Sequence, residues 1–220
     1  METLANAFKN TSQENIWGLL PPQAVSFAVQ DAVYSLPTPT VPAGNVLVAL
    51  SPLLINSFEP GDQRLTNWIG KTTTTGTPAV TYYFANKYKT KTSTTAVETL
   101  TLLRLAEQYL IRAEARAQQN NPGGAATDLN TVRSRAGLAP YTATTQPAML
   151  TAILTERYHE LFTEQAHRFF DLKRTGNIDA VMATVSPQKG STWSGFMQLW
   201  PIPLSETLAN LNLTQTPGYQ

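Results

Sequence analysis

Three apolar stripes at helical spacing constrain the fold of this chain more than any other feature. Leu102, Leu105, Ala106, Tyr109, Ala113 and Ala117 fall on one face of a 3.6-residue helix. The turn sequence Asn120-Asn121-Pro122-Gly123-Gly124 follows, and a second stripe through Ala125, Leu129, Val132 and Ala136 stops at Gly137. Two helices joined by so short a turn pack antiparallel, and the alanines at 113, 117, 125 and 126 let their backbones approach closely. A third stripe, Met149, Leu150, Ile153, Leu154, Tyr158, Leu161, Phe162, Ala166, Phe169 and Phe170, predicts one long amphipathic helix. Pro147 stands in its first turn, Lys173 and Arg174 sit where a C-terminus favours cations, and Gly176 closes it. A hairpin of about 40 residues cannot bury both its faces alone, so it must pack on the third helix or on further repeats.

Residues 1–95 read differently. Prolines and glycines punctuate them at short intervals, at Pro21-Pro22, 36–42 (LPTPTVP), Pro60-Gly61 and Gly76-Thr77-Pro78. Between them, 26–29, 46–50 and 80–85 have the composition of short strands. A short helix over 51–58 would have Ser51 as its N-cap and Pro52 at its first position. Beyond Gly176 the chain again reads as irregular: 199–210 (LWPIPLSETLAN) suits an extended segment ending in a short turn, and NLTQTPGY a surface tail. The expected class is mainly α: a tetratricopeptide-like hairpin plus a long helix, with a loop-rich part containing short strands. A loop-rich, ligand-facing part over 1–95 and a helical scaffold with an irregular tail over 96–220 would together form one compact unit.

At 220 residues and 42% hydrophobic, the chain can bury a sizeable core. Its net charge of +1 gives no electrostatic reason for nucleic-acid binding. Charged residues make up 14%, against roughly 25% in ordinary soluble domains; threonine and asparagine carry much of the polar surface, a composition in keeping with export. The absence of cysteine removes disulfides, thiolate zinc sites, cysteine nucleophiles and a lipid-acceptor cysteine from this chain. No run approaches the roughly 18 apolar residues of a membrane span. The opening METLANAFKNTSQEN lacks the basic region and apolar run of a signal peptide.

Catalytic motifs are sparse. Glu156-x-x-His159 and Glu164-x-x-His167 both occur, but eight residues apart on one predicted helix, about 12 Å at 1.5 Å per residue. They cannot face each other across a bundle core as a di-iron centre requires. His159-Glu160 does not extend to HExxH, because Thr163 stands where the second histidine belongs. The better reading is that these charges bond neighbouring loops and fix the helix, and no metal or cofactor is implied. Asp31, Glu59, Asp62 and Glu98 could supply paired carboxylates for glycoside hydrolysis, although Glu59 and Asp62 flank Pro60-Gly61 and suit a turn. Arg64 could pair with Asp62, cap a carbonyl, or reach a ligand as a loop arginine. For binding, aromatic rings on loops stack on the apolar faces of sugars. The candidates are Tyr34, Trp68 and Trp193, with Trp68 alternatively in the core; Trp17 and Trp200 are expected to pack internally.

Six segments in order carry a family resemblance: ENIWGLL (14–20), FEPGDQR (58–64), LLRLAEQYLIRAEARAQ (102–118), DLNTVRSRAGL (128–138), ERYHELFTEQAHRFFDLKRTG (156–176) and LWPIPLSETLANLNLTQTPGY (199–219). Together they resemble the C-terminal part of the SusD/RagB family of outer-membrane nutrient-binding lipoproteins. The resemblance implies a helical scaffold whose loops bind a glycan or other nutrient without turnover, at the cell surface, over a SusC-like TonB-dependent transporter. The chain departs from that pattern in lacking the lipoprotein signal, the acylated cysteine and the N-terminal helical repeats, so it reads as the C-terminal portion. The alternative is a tetratricopeptide-type scaffold that recognises a peptide and has no sugar site.

Overall fold

A computed structural model describes residues 1–22, 26–37, 48–74 and 77–219. The chain forms two compact units, Met1–Gln165 and Ala166–Gln220. In chain order the first contains β1 (Asn15–Leu19), α1 (Gln30–Ser35), α2 (Pro52–Ile55), α3 (Arg64–Asn67), β2 (Ile69–Thr73), β3 (Thr81–Ala85), β4 (Leu100–Arg104), α4 (Leu105–Gln118), α5 (Pro122–Arg135) and α6 (Gln146–Glu160). The second contains α7 (His167–Arg174), α8 (Ile178–Gln188), a 3-10 turn at Gly195–Gln198 and α9 (Leu204–Ala209).

The helical hairpin stands as its pattern predicts. Arg116 reaches the Gly124 carbonyl at 3.2 Å and Asp128 at 2.8 Å, while Arg112, one turn earlier, also reaches Asp128 at 2.7 Å. That order is the signature of antiparallel helices. Asn121 caps α5 by accepting from the Gly124 amide at 2.9 Å, and Gly137 ends it at φ +77°, where a side chain is disfavoured. Leu110, Ala113 and Ala117 of α4 meet Ala125, Leu129 and Val132 of α5 and Met149 and Ile153 of α6 in one apolar core. The third helix thus covers the open face of the hairpin.

The third stripe is not one helix. It divides into α6 and α7, and between them Thr163, Gln165 and Ala166 take φ of 59°, 40° and 57°. Left-handed backbone costs about 1–2 kcal/mol per ordinary residue, so something must hold it there. The hold is ionic. The carbonyls of Glu160 and Phe162 accept from the Lys87 ammonium at 2.8 Å each, and the Glu160 carbonyl also accepts from Arg104 at 2.8 Å. These acceptors are claimed from outside, and helical continuation ends.

Leu102 likewise leaves the predicted helix. It lies in β4, which pairs antiparallel with β1 through Trp17↔Leu103, Gly18↔Thr101 and Leu19↔Leu100. The partner strand is more than 80 residues away, so local periodicity could not announce it. The strand expected at 80–85 is present as β3, paired with β2 through Gly70↔Phe84. A Cβ on Gly70 would lie 2.2 Å from the Phe84 ring, which crosses the strand at that point. Residues 26–29 are not a strand, although Phe27 donates its amide to Ser93. Of the 46–50 expectation, 46 and 47 lie outside the described residues and 48–50 are not a strand. The helix after Ser51 is shorter than predicted, but Ser51 Oγ caps it by accepting from the Leu53 amide at 3.1 Å.

The second unit corrects the reading of the C-terminus as irregular. α8 occupies eleven residues that lack a clear apolar stripe, and α9 stands where a turn was expected. The end of the chain is held within this unit: Tyr219 donates to the Leu199 carbonyl at 2.8 Å and meets Phe196 edge-on at 4.9 Å. No helix among the described residues is long and apolar enough to cross a membrane.

Candidate functional site

Beneath the loops of the first unit lies an ionic cluster gathered from distant segments. Arg64 binds Asp62 (2.7 Å), Glu156 (2.7 Å) and Glu160 (3.1 Å). Arg104 binds Glu14 (3.1 Å), Glu160 (2.5 Å) and Glu164 (2.6 Å). Arg135 joins Glu14 and Glu160, Lys87 joins Glu164, and Arg133 bridges Glu59 and Glu156. Burial alone would raise the Glu160 carboxyl; Arg135, Arg104 and Arg64 overcome it and hold it well below the usual range. Glu164 is treated the same way by Arg104 and Lys87. Burial, helped by the neighbouring Glu160 charge, leaves Glu156 above the usual range despite Arg64 and Arg133. His159 Nε2 lies 2.9 Å from Ser57 Oγ and its ring stacks on Phe58 at 4.5 Å. Burial and then Arg64 push His159 down to about 4, so it is neutral at pH 7. The charges of 156–164 thus bond the neighbouring loops and fix the helix end.

This cluster takes two of the predicted ligand residues out of reach. Trp68 is 0% exposed, donates its indole N–H to the Leu4 carbonyl at 2.8 Å, and lies 4.9 Å from the Lys87 ammonium and 5.1 Å from the Arg135 guanidinium. Arg64 is equally buried and its donors are committed to three carboxylates. Both are framework, as the alternative reading of each allowed.

Tyr34 lies elsewhere. It is 49% exposed at a recess of about 170 Å³ lined by Asp31, Tyr34 and Ser35 of α1, Val48, Ala85, Lys87 and Tyr88, and Thr163 and Glu164. Spacing of three along α1 puts Asp31 and Tyr34 on one helix face, with Cβ atoms about 5–6 Å apart. Among the described residues Asp31 makes no hydrogen bond or ion pair, and burial followed by Glu164 raises its carboxyl above the ordinary value. The other three carboxylates weighed as catalytic are engaged. Asp62 holds Arg64, Glu59 holds Arg133, and Glu98 accepts from the Lys89 and Thr90 amides at 2.7 and 3.1 Å. Thr163 and Glu164 bring the strained segment to the recess wall, and such strain concentrates where structure over-determines a site.

Trp193, in the second unit, is half-buried, and Asp179 accepts from its indole N–H at 2.7 Å while also accepting from Gln198 at 2.9 Å. Trp17 and Trp200, expected to pack internally, are 58% and 83% exposed. Trp17 lies in β1 of a two-stranded sheet, and Trp200 belongs to the same unit as the exposed Leu204, Leu208 and Leu211. No group of three or more metal-ligating side chains occurs among the described residues. Sequence reasoning weighed Asp31 only as an acid and missed Lys87 and Glu164 as neighbours of the recess. The available signal was Asp31-x-x-Tyr34 itself, a carboxylate three residues from an exposed ring.

Comparison with known proteins bears on both units. The SusD family profile matches residues 55–219. The starch-binding protein SusD of Bacteroides thetaiotaomicron is 33% identical over 124 residues, covering 54% of this chain and 21% of that protein. Among solved structures, surface glycan-binding protein A of Bacteroides uniformis superposes with TM-score 0.73 at 20% identity, over 97% of this chain and 51% of its own. Its Bacteroides thetaiotaomicron namesake gives 0.72 at 21%, over 99% and 55%. A SusD superfamily protein of Bacteroides fragilis gives 0.74 at 17%, over 100% and 55%. At these identities the superpositions establish the fold, and the chain spans about half the length of these solved relatives.

Proposed function

Because the chain belongs to the SusD family, we propose that it binds a glycan at the Tyr34–Asp31 recess and does not turn it over. The observation that carries this reading is an exposed aromatic face beside a carboxylate that has no partner among the described residues. A tyrosine ring stacks on the C–H face of a sugar, and a carboxylate accepts from its hydroxyls in charge-assisted bonds. The recess is smaller than the roughly 300 Å³ at which pockets for whole small molecules begin, and suits one ring of a longer chain. Trp193, its plane set by Asp179, is a second stacking candidate. The names of the relatives, starch-binding and surface glycan-binding, support the ligand class.

Glycoside hydrolysis needs two carboxyl groups free to act as acid and as base or nucleophile. Here Glu164 has one oxygen on Lys87 and Arg104 and the other on Arg104, which leaves it ionised and occupied. That supports binding without turnover. The family match supports a reading in which the protein acts at the outer-membrane surface and delivers its ligand to a SusC-like TonB-dependent transporter. A protein-interaction role is favoured by one observation, the exposed apolar set Ile16, Trp17, Leu103 and Ile111 on β1, β4 and α4.

The test is a glycan array followed by titration of the best ligand. Tyr34→Ala is expected to weaken binding about tenfold, the loss of one aromatic stacking contact, with no sugar released at high protein concentration. Glycan binding unaffected by Tyr34→Ala would move the site elsewhere. Binding to no glycan would favour the interaction scaffold.

A further inference from the structure

Building on the glycan reading, we propose that the Asp31 recess selects uncharged glycans and rejects those carrying carboxylate or sulfate. The argument is the charge inventory of the site. The recess is lined by two carboxylates, Asp31 and Glu164, and one cation, Lys87. That cation is unavailable to a ligand. Its three N–H bonds go to the Glu160 carbonyl, the Phe162 carbonyl and Glu164, and its ammonium sits 4.0 Å from the Phe162 ring centre. Glu164 is claimed by Lys87 and Arg104, so Asp31 is the lining charge left to meet a ligand.

No second cation stands among the lining residues to reverse that sign. The ionic cluster that holds Lys87 and Glu164 contains six carboxylates against five cations, so it does not make the recess positive. Lys91 donates to the Leu36 carbonyl at 2.5 Å and is not among the lining residues. Residues 23–25 (QAV), 38–47 (TPTVPAGNVL) and 75–76 (TG) bring no charged side chain. Burial and the Glu164 charge both act to raise the Asp31 carboxyl. An ionised carboxylate only accepts hydrogen bonds. Hydroxyls that donate to it are rewarded, and an anionic substituent meets a like charge with no uncommitted cation among the lining residues to offset it.

The experiment uses the full chain on an array that carries neutral oligosaccharides beside their C6-oxidised uronate forms. Titration of the best neutral ligand and its uronate partner follows. In the unaltered chain the uronate should bind about five- to tenfold more weakly, as for one like-charge contact in a partly hydrated site, and 0.5 M salt should shrink the gap. Asp31→Asn should close the gap, and Asp31→Lys should reverse it. Thermal melts of both variants check that the fold survives. Anionic glycans as the best ligands, equal binding of both forms, or a gap unchanged in Asp31→Asn would overturn charge selection while leaving glycan binding intact. Binding to no glycan would overturn both.

Discussion

Where α4, α5 and α6 meet, the core cluster is built of apolar side chains, with Leu110, Leu129, Val132, Met149 and Ile153 all fully buried. Beneath the loop-rich part, Trp68, Phe8, Tyr88 and Phe162 share the interior with Arg64, Lys87, Arg104 and their carboxylates. The two interiors answer to different physics. Apolar contacts are non-directional and roughly proportional to buried area, so a site can partly relax around a truncated side chain. Buried ions attract strongly only while every partner is present, and removing one strands the rest away from water. The apolar interior thus fixes the scaffold, while the ionic one fixes particular backbone atoms, including the strained wall of the recess.

Arg104→Ala should have the largest effect on folding, because it removes one buried cation from Glu14, Glu160 and Glu164 at once. A loss of about 3–5 kcal/mol in urea denaturation is expected. A loss under about 1 kcal/mol would mean that the cluster does not act as a unit. Leu129→Ala, in the apolar interior, should cost about 2–4 kcal/mol by leaving a cavity that neighbours partly fill. If Leu129→Ala costs clearly more than Arg104→Ala, the contrast between the interiors is broken.

Acid should act mainly on the ionic interior. His159 has a folded pKa of about 4 against 6.5 ordinarily, so its contribution is complete above pH 6.5 and is lost as pH falls towards 4. Glu160 and Glu164, both held low, add a further loss as pH falls below the ordinary carboxylate value of 4.5. Glu156, held high, opposes that trend. Thermal melts from pH 7 to 4 should therefore fall, and His159→Phe should flatten the decline between pH 6.5 and 4.5. An unchanged slope in His159→Phe would assign the acid sensitivity to the carboxylates alone.

The apolar interior was legible because its residues repeat every three or four positions and meet along helices adjacent in the chain. Ser51 and Asn121 were legible as caps for the same local reason. The ionic interior was not, since Glu14, Asp62, Lys87, Arg104, Arg135 and Glu160 come from separate segments and each alone reads as a surface charge. Trp68 took the core place that was one of its two readings, and Trp17 left the one expected of it, because a lone aromatic has no periodicity to say which face is covered. The recess was half legible: Tyr34 stood out as a loop aromatic, while Lys87 and Glu164 reached its wall only through long-range pairing.

What the sequence determined by itself was a helical hairpin and a covering helix, set by spacing, turn residues and caps within short stretches of chain. Tertiary structure decided where that third stripe breaks, which arginines are buried, and which carboxylate is left facing the recess. Those outcomes depend on charges that meet across 60 and 121 residues of sequence, and attraction between ions depends on their distance in space.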